Sequence, residues 1–117
     1  SWKGRSYDAG NWDIADTINR AVSAANAALY ALTASVVISM GYLPHLGFIH
    51  TAGTLPLVFD IADIYKPETT LPAAFESVSL NEDASEEEVI TRLKFYIENT
   101  QLLKRMPVDI TTLIAKS

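Results

Sequence analysis

The chain has 117 residues, of which 49% are hydrophobic and 20% are charged, and its net charge is −5. This length fits one domain, and the composition is that of a globular protein, not of a disordered chain. The lack of cysteine excludes disulfides, thiolate catalysis and cysteine-based zinc sites. The acidic balance counts against tight DNA binding by the chain alone, because proteins that hold nucleic-acid phosphates usually have a basic face. Much of the acid lies in one short segment: Glu82, Asp83, Glu86, Glu87 and Glu88.

A long first helix is predicted in the N-terminal half of the chain. Residues 2–12 are expected to be irregular, with Gly4 and Gly10 as turn signals. The helix is expected to begin near Asp13 or Asp16, because acidic side chains suit its positive end. A glycine at position 41 is expected to end it. Between these points apolar residues recur in helical steps of three and four: Ile18, Val22, Ala25, Leu29, Leu32, Val36 and Met40.

This helix is predicted to be the buried centre of the domain and not a membrane span. Residues 21–44 carry no formal charge and are long enough to cross a bilayer. However, most of them are alanine, serine and other residues that contribute little to insertion. We therefore expect no contact with a membrane.

Two shorter helices are predicted after a loop over residues 42–54. The first covers residues 55–66 or 56–66, because Pro56 is tolerated in a first turn and Pro67 ends the run. The second covers residues 71–79. Residues 80–84 are expected to form a polar connector.

The fourth helix has a clear start signal, since Ser85 followed by Glu88 is a capping box. Its apolar period is expected to continue to residue 103, with basic residues 104 and 105 at its negative end. Pro107 is expected to open a last helix that includes Ile110, Leu113 and Ile114.

No segment alternates with period two for long enough to make a sheet. The chain is therefore predicted to be a single all-α domain of about five helices over residues 1–117. It opens on Ser1 and Trp2, with no initiator methionine. We expect it to be part of a longer polypeptide, truncated at its N-terminus.

Asp60 and Asp63 are the first candidates for chemistry. Their spacing places the two carboxylates roughly 60° apart on one face of a helix. Their neighbours are mostly apolar, and a bound cation would compensate two acids that are removed from water. His50 precedes this helix in a loop with Gly47 and Gly53, which allow the loop to turn back toward the helix. One imidazole with one or two carboxylates suits Mn²⁺ or Mg²⁺.

The spacing of these residues leaves a non-functional interpretation open. A single histidine beside an apolar segment is more often a core or loop residue than a ligand. Two acids on a helix are more often solvated, or paired with a base such as Lys66, which follows Asp63 by three residues.

Several sequence blocks resemble the CRISPR-associated integrase, the metal-dependent nuclease subunit of the spacer-acquisition complex, and in particular its subtype I-E branch. The weaker blocks are residues 2–8, 16–19, 23–25 and 29–30. The strongest are Gly41-Tyr42-Leu43-Pro44, Gly47-Phe48-Ile49-His50-Thr51 and Phe59-Asp60-Ile61-Ala62-Asp63-Ile64.

The resemblance implies a metal site shared between this chain and an upstream segment. The family has a small β-rich N-terminal domain and a larger helical C-terminal domain, and this chain is similar to the later part of the helical domain. The family holds its metal by a glutamate, a histidine and an aspartate. His50 and Asp63 match the last two, and Asp60 matches a second acid beside the site. The glutamate is expected to precede Ser1.

The resemblance also implies the reaction and the partners. The 3′-hydroxyl of a short foreign-DNA spacer attacks a phosphodiester at the edge of a CRISPR repeat, a transesterification that serves antiviral defence and requires Mg²⁺ or Mn²⁺. The expected partners are double-stranded DNA (spacer precursor and repeat), a second copy of the full-length protein, and a small second adaptation subunit. The expected location is the cytoplasm, and we expect the chain to be inactive alone.

Residues near the DNA path are also implied by the resemblance. Tyr7, Trp12 and Tyr30 match aromatic positions, and Lys66 matches a basic one. Tyr30 is equally compatible with a core position, and Trp12 with a hydrophobic staple before the first helix. The sequence departs from the family where relatives have basic residues, since it has Ala52, Gly53, Glu87 and Ile90 there. Arg92 and Lys94, about one turn further on, are expected to replace them.

A second hypothesis is a non-enzymatic helical interaction module. In that case the acidic fourth helix would bind a protein partner such as the small adaptation subunit.

Overall fold

The computed structural model describes residues 9–41 and 54–116 of the chain, with side chains over residues 14–41 and 56–115. Five α-helices and no strand occur in these two segments, which confirms the all-α prediction. A 3₁₀ turn, Lys66–Glu68, follows the second helix. The helices are α1 (Ala9–Ser39), α2 (Thr54–Tyr65), α3 (Thr70–Leu80), α4 (Glu86–Asn99) and α5 (Leu102–Lys116).

Helix α1 begins earlier than the sequence indicated. It starts at Ala9, so the expectation of irregular structure is wrong for residues 9–12, and Gly10 lies in the first helical turn. Acidic side chains are favourable throughout the first turns, so Asp13 and Asp16 did not mark the first residue. The other end is confirmed, because α1 ends at Ser39 and Gly41 has a φ of 85°, the left-handed conformation that glycine adopts without strain.

Helix α1 is the central element, because it contributes to both hydrophobic clusters. The first cluster joins α1 to α2 and α5, and its fully buried members include Leu29, Ile61 and Met106. The second joins α1 to α3 and α4 through small residues such as Ala25 and Ala74. The prediction of a central helix is confirmed. The expectation that the helix is buried holds only for one stripe, every fourth residue from Ala21 to Val37, because its other faces are half-buried or exposed.

The apolar character of α1 agrees with this central position. Within the described part of the chain, its segment Ile14–Ser39 is the one stretch long and apolar enough to cross a membrane. Core helices of soluble proteins share this length and composition. Here the helix packs against the four others.

Helices α2 and α3 lie where the sequence placed them, to within one residue at each end. Helix α2 ends at Tyr65, and Pro67 lies in the 3₁₀ turn that follows it. The capping box of α4 is also confirmed. The Glu88 amide donates to Ser85 Oγ at 3.1 Å, and the Ser85 amide donates to Glu88 Oε1 at 2.9 Å. The hydrogen bond that the Glu88 carboxylate accepts from the Ser85 amide holds the pKa of Glu88 below its ordinary value.

The junction between α4 and α5 contradicts the predicted boundaries. Helix α4 ends at Asn99 instead of residue 103, and Pro107 lies inside α5 instead of opening it. Gln101 separates the helices with a φ of 55°. The break brings Leu102, Met106 and Ile110, spaced four residues apart, into the first cluster, where all three are fully buried.

Pro107 is tolerated inside α5 because the backbone hydrogen bond that it cannot donate would lie on the exposed side of the helix. Its ring nitrogen cannot donate to the carbonyl of Leu103. Leu103 is 54% exposed, so water can reach that side of the helix and bond the carbonyl.

The left-handed residue at the junction leads to a stability prediction. Gln101→Gly is expected to raise the free energy of unfolding by about 0.5–1 kcal/mol, because glycine adopts a positive φ without the steric cost of a β-carbon. Lys94→Gly, at an exposed position inside α4, is the control. It is expected to lower the free energy of unfolding by about 0.5–1 kcal/mol. Urea unfolding measures the change in the free energy of unfolding for each variant. Changes of the same sign in the two variants would contradict the prediction.

Candidate active site on helix α2

Asp60 and Asp63 lie on the exposed face of α2. The opposite face carries Val58, Ile61 and Tyr65, which are buried in the first cluster. The expected closeness of the two acids is confirmed, since both are exposed side chains of one helix three residues apart. Their exposure means that they bear little desolvation cost. The argument that a cation must compensate for their burial is therefore wrong.

Lys66 is the immediate partner of Asp63. Its Nζ atom lies 2.8 Å from Asp63 Oδ1, which is the pairing that the sequence left open as an alternative to a metal. The same ammonium donates a hydrogen bond to the Tyr30 hydroxyl and lies 4.8 Å from the centre of the Tyr30 ring. The hydrogen bonds to Asp63 and to Tyr30 raise the pKa of Lys66 above its ordinary value.

Tyr30 is partly buried and packs against the core, while its hydroxyl reaches the candidate site. Its ring packs against the first cluster and meets Phe59 edge-to-face, with ring centres 4.9 Å apart. Its hydroxyl reaches Lys66. Tyr30 therefore connects the middle of α1 to the exposed face of α2, and neither of the two interpretations from sequence excludes the other.

The 3₁₀ turn after α2 is held by an ionic contact that sequence reasoning missed. Arg105 of α5 donates to both carboxylate oxygens of Glu68, at 2.7 and 2.9 Å, and to the carbonyl of Thr100 at 3.2 Å. The sequence predicted only a basic residue at a helix end. Thirty-seven residues separate Arg105 from Glu68, so no local spacing could have indicated the pair. The hydrogen bond from Arg105 holds the pKa of Glu68 below its ordinary value.

Tyr65 makes a second connection between α2 and α5. Its hydroxyl donates to Asp109, and the Arg105 guanidinium lies 5.4 Å from the centre of its ring. Burial, followed by the hydrogen bond to Asp109, raises the pKa of the Tyr65 hydroxyl above its ordinary value. The C-terminal end of α2, which carries Asp63, and the 3₁₀ turn that begins at Lys66 are thus fixed to α5 by two side chains.

Arg92 and Lys94 lie two residues apart on α4 and line the same surface depression. The Arg92 Nη1 atom lies 3.1 Å from Glu76 Oε1 of α3. The Glu76 carboxylate also accepts a hydrogen bond from the Tyr96 hydroxyl. Lys94 is exposed, beside Glu87 and Phe95 on the rim of this shallow depression.

The remaining predicted site residues are His50, Tyr7 and Trp12. His50 and Tyr7 lie outside the described residues. Trp12 lies inside α1, so it does not precede the helix as a hydrophobic staple would, and its side chain is outside the description. Among residues 9–41 and 54–116, no group of three or more histidine, aspartate or glutamate side chains could hold a metal ion.

Comparison with known proteins decides the family. The sequence pattern of the CRISPR associated protein Cas1 family matches residues 2–98. The chain belongs to the Cas1 family. The matched region contains every predicted site residue, whereas Arg105 and Asp109 lie beyond it.

Named relatives of this Cas1 chain agree with the assignment. It is 47% identical over 112 residues to CRISPR-associated endonuclease Cas1 2 of Thermus thermophilus, covering 96% of this chain and 34% of that protein. It is 46% identical over 105 residues to CRISPR-associated endonuclease Cas1 3 of Methanospirillum hungatei, covering 90% of this chain and 35% of that protein. It is 38% identical over 106 residues to the CRISPR-associated endonuclease Cas1 of Escherichia coli strain K12, covering 91% of this chain and 35% of that protein.

A solved structure shares the fold of this Cas1 chain. The protein in a crystal structure of a TtCas1-DNA complex superposes with a TM-score of 0.72 at 47% identity, covering 97% of this chain and 43% of that one. The chain spans about a third of the length of the curated relatives it matches.

The Arg105–Glu68 contact leads to a prediction on pH dependence. The pKa of Glu68 is lowered in the folded protein, so its ionised form stabilises the fold above the ordinary value of 4.5, and this contribution is lost as the pH falls below it. Glu68→Gln is therefore expected to be less stable than the parent chain near neutral pH. The difference is expected to shrink near pH ~3. Urea unfolding at both pH values measures it.

The control for this prediction is Glu82→Gln, at an exposed position in the connector between α3 and α4. Its effect is expected to be smaller at neutral pH. If Glu68→Gln changes the free energy of unfolding equally at both pH values, the ionised carboxylate of Glu68 does not contribute to the stability of the fold.

Proposed function

We propose that this chain is the helical catalytic part of a metal-dependent DNA endonuclease and integrase that inserts short foreign-DNA spacers into a CRISPR array. The observation that carries the proposal is the clustering of Asp63, Lys66 and Tyr30 beside Asp60 on one exposed face, in a chain that belongs to the Cas1 family. The proposed reaction is a transesterification, and the proposed branch is subtype I-E.

The residues at this face fit a hard divalent cation in their donor chemistry. Carboxylate oxygens suit Mg²⁺ and Mn²⁺, and the side chain of Asp63 is 58% exposed and open to solvent. We assign Asp63 and His50 as ligands, and Asp60 as the residue that holds a water beside them. When bound, the cation supplies a Lewis acid that polarises a phosphoryl oxygen.

The groups around the carboxylates suit DNA. Lys66 contributes a positive charge at the edge of the site, where a phosphate oxygen can accept its hydrogen bond. Tyr30 provides a ring and a hydroxyl next to that ammonium, and we assign Tyr7 and Trp12 to the same DNA path. Arg92 and Lys94 are proposed as phosphate contacts on α4. The DNA complex of a protein with the same fold supports this assignment.

The partners and the location belong to the same proposal. The DNA substrates are a double-stranded spacer precursor and the CRISPR repeat, and the working protein is a homodimer of the full-length chain with a small second adaptation subunit. The proposed location is the cytoplasm. Because the chain spans about a third of its relatives, we expect it to have no nuclease activity on its own.

Two protein ligands rarely hold a divalent cation firmly, so weak metal binding is the first prediction from this proposal. The chain is expected to bind Mn²⁺ more weakly than the micromolar range in a calorimetric titration, and His50→Ala is expected to weaken it further. His45→Ala is the matched control, because it removes the other histidine of the sequence. Micromolar binding that survives His50→Ala would exclude the assignment of His50 as a ligand.

The second prediction concerns the phosphate contacts. Lys94→Ala is expected to weaken binding to a short DNA duplex and to reduce the salt dependence of log Kd by about one unit, as the loss of one phosphate contact does. Fluorescence anisotropy over a range of salt concentrations measures both quantities. Arg20→Ala is the control, because Arg20 is an exposed cation on α1 that pairs with Asp16 at 2.6 Å. Equal effects of the two variants would indicate non-specific attraction only.

A further inference from the structure

The Lys66 ammonium contacts one carboxylate oxygen of Asp63. It lies 2.8 Å from Oδ1, within the distance of a charge-assisted hydrogen bond. The two side chains differ in exposure, since Lys66 is 24% exposed and Asp63 is 58% exposed. The ammonium thus reaches Asp63 Oδ1 from the less exposed side, and a cation that binds this oxygen would have to replace it there.

The Lys66 ammonium also makes contacts that do not depend on Asp63. The Tyr30 hydroxyl accepts a hydrogen bond from the ammonium, and the Tyr30 ring lies 4.8 Å from it. That ring is supported by its edge-to-face contact with Phe59. An ammonium that loses Asp63 therefore keeps two favourable contacts, and its displacement from the carboxylate costs little.

We propose that Lys66 is a built-in competitor that sets the divalent-cation affinity of Asp63. A cation that binds this carboxylate displaces the ammonium, which stays on Tyr30. This inference rests on the proposed function, because it takes Asp63 as a ligand. It assigns Lys66 a second role besides contact with DNA, namely to weaken the binding of a divalent cation at Asp63 by its charge.

The size of the effect follows from Coulomb's law. A unit charge about 6 Å from a divalent cation in water changes its binding by roughly a factor of ten at low ionic strength, and salt reduces this factor. Removal of the ammonium is therefore expected to tighten cation binding about three- to tenfold.

The experiment is a titration of the chain with Mn²⁺, followed by the broadening of amide NMR signals around Asp63. This readout detects weak binding and requires no enzymatic activity. Lys66→Met is expected to shift the midpoint to an about three- to tenfold lower Mn²⁺ concentration. Lys66→Arg keeps the charge and is expected to stay close to the parent chain. Lys104→Met, at an exposed lysine of α5, is the matched control and is expected to leave the midpoint unchanged.

A second measurement keeps the test independent of the stability of the variants. In the unmodified chain, Mg²⁺ is expected to shift the Lys66 side-chain ammonium signal as the contact with Asp63 is lost. An unchanged signal at a Mg²⁺ concentration that perturbs the Asp63 amide would overturn the inference.

The outcomes separate this inference from the function on which it rests. Equal midpoints for the unmodified chain and Lys66→Met, with broadening centred on Asp63 and lost in Asp63→Asn, would refute the competitor role and leave the cation site intact. No broadening around Asp63 in either protein would refute the proposed cation site, and the inference with it.

Discussion

The close packing of α1 against α3 and α4 is the constraint on which the rest of the structure depends. Ala21 and Ala25 of α1 are buried with Ala73 and Ala74 of α3. Small side chains at a helix contact let the two axes approach closely, because the distance between axes depends on the residues at the contact. The part of α1 around Ala21 and Ala25 is thereby fixed among small residues. The part from Leu29 to Val37 carries larger side chains, which pack with α2 and α5.

The candidate site is a consequence of this arrangement. Helix α2 buries Ile61 and Tyr65 against α1 and α5, and the helical period then sends Asp60 and Asp63 outward. Tyr30 lies on α1 one residue beyond the fully buried Leu29, so its hydroxyl emerges beside Lys66. The same core contacts that stabilise the fold therefore set the positions of the charged groups. Arg105 and Tyr65 add a second support from α5.

Local signals in the sequence were sufficient for most of the helices. The helical period indicated α1, Pro56 and Pro67 indicated the bounds of α2, and the capping box at Ser85 indicated the start of α4, because each of these signals acts within one or two turns. The start of α5 could not be predicted in this way. Glutamine is not a residue that marks a left-handed position, and Pro107 is a start signal in most contexts. The burial of Leu102 and Met106, a tertiary effect, decided the boundary.

The sequence indicated the charged residues of the candidate site, but only the local one of their contacts. The spacing of Asp63 and Lys66 indicated the ion pair, whereas the contact of Lys66 with Tyr30 joins residues 36 apart in the chain. The apolar neighbours of Asp60 and Asp63 suggested buried acids, whereas the register of α2 exposes them. A prediction of this kind needs the orientation of the helix, which is set by packing against other elements.

The central position of α1 has a consequence for how the protein opens. Because this helix belongs to both hydrophobic clusters, neither cluster can separate from it without exposing apolar surface of the other helices. The two clusters should therefore unfold together in one cooperative transition, although they share few side chains. Amide hydrogens between Ala25 and Leu29, where the clusters meet along α1, should be the slowest to exchange with solvent, since only complete unfolding would release them.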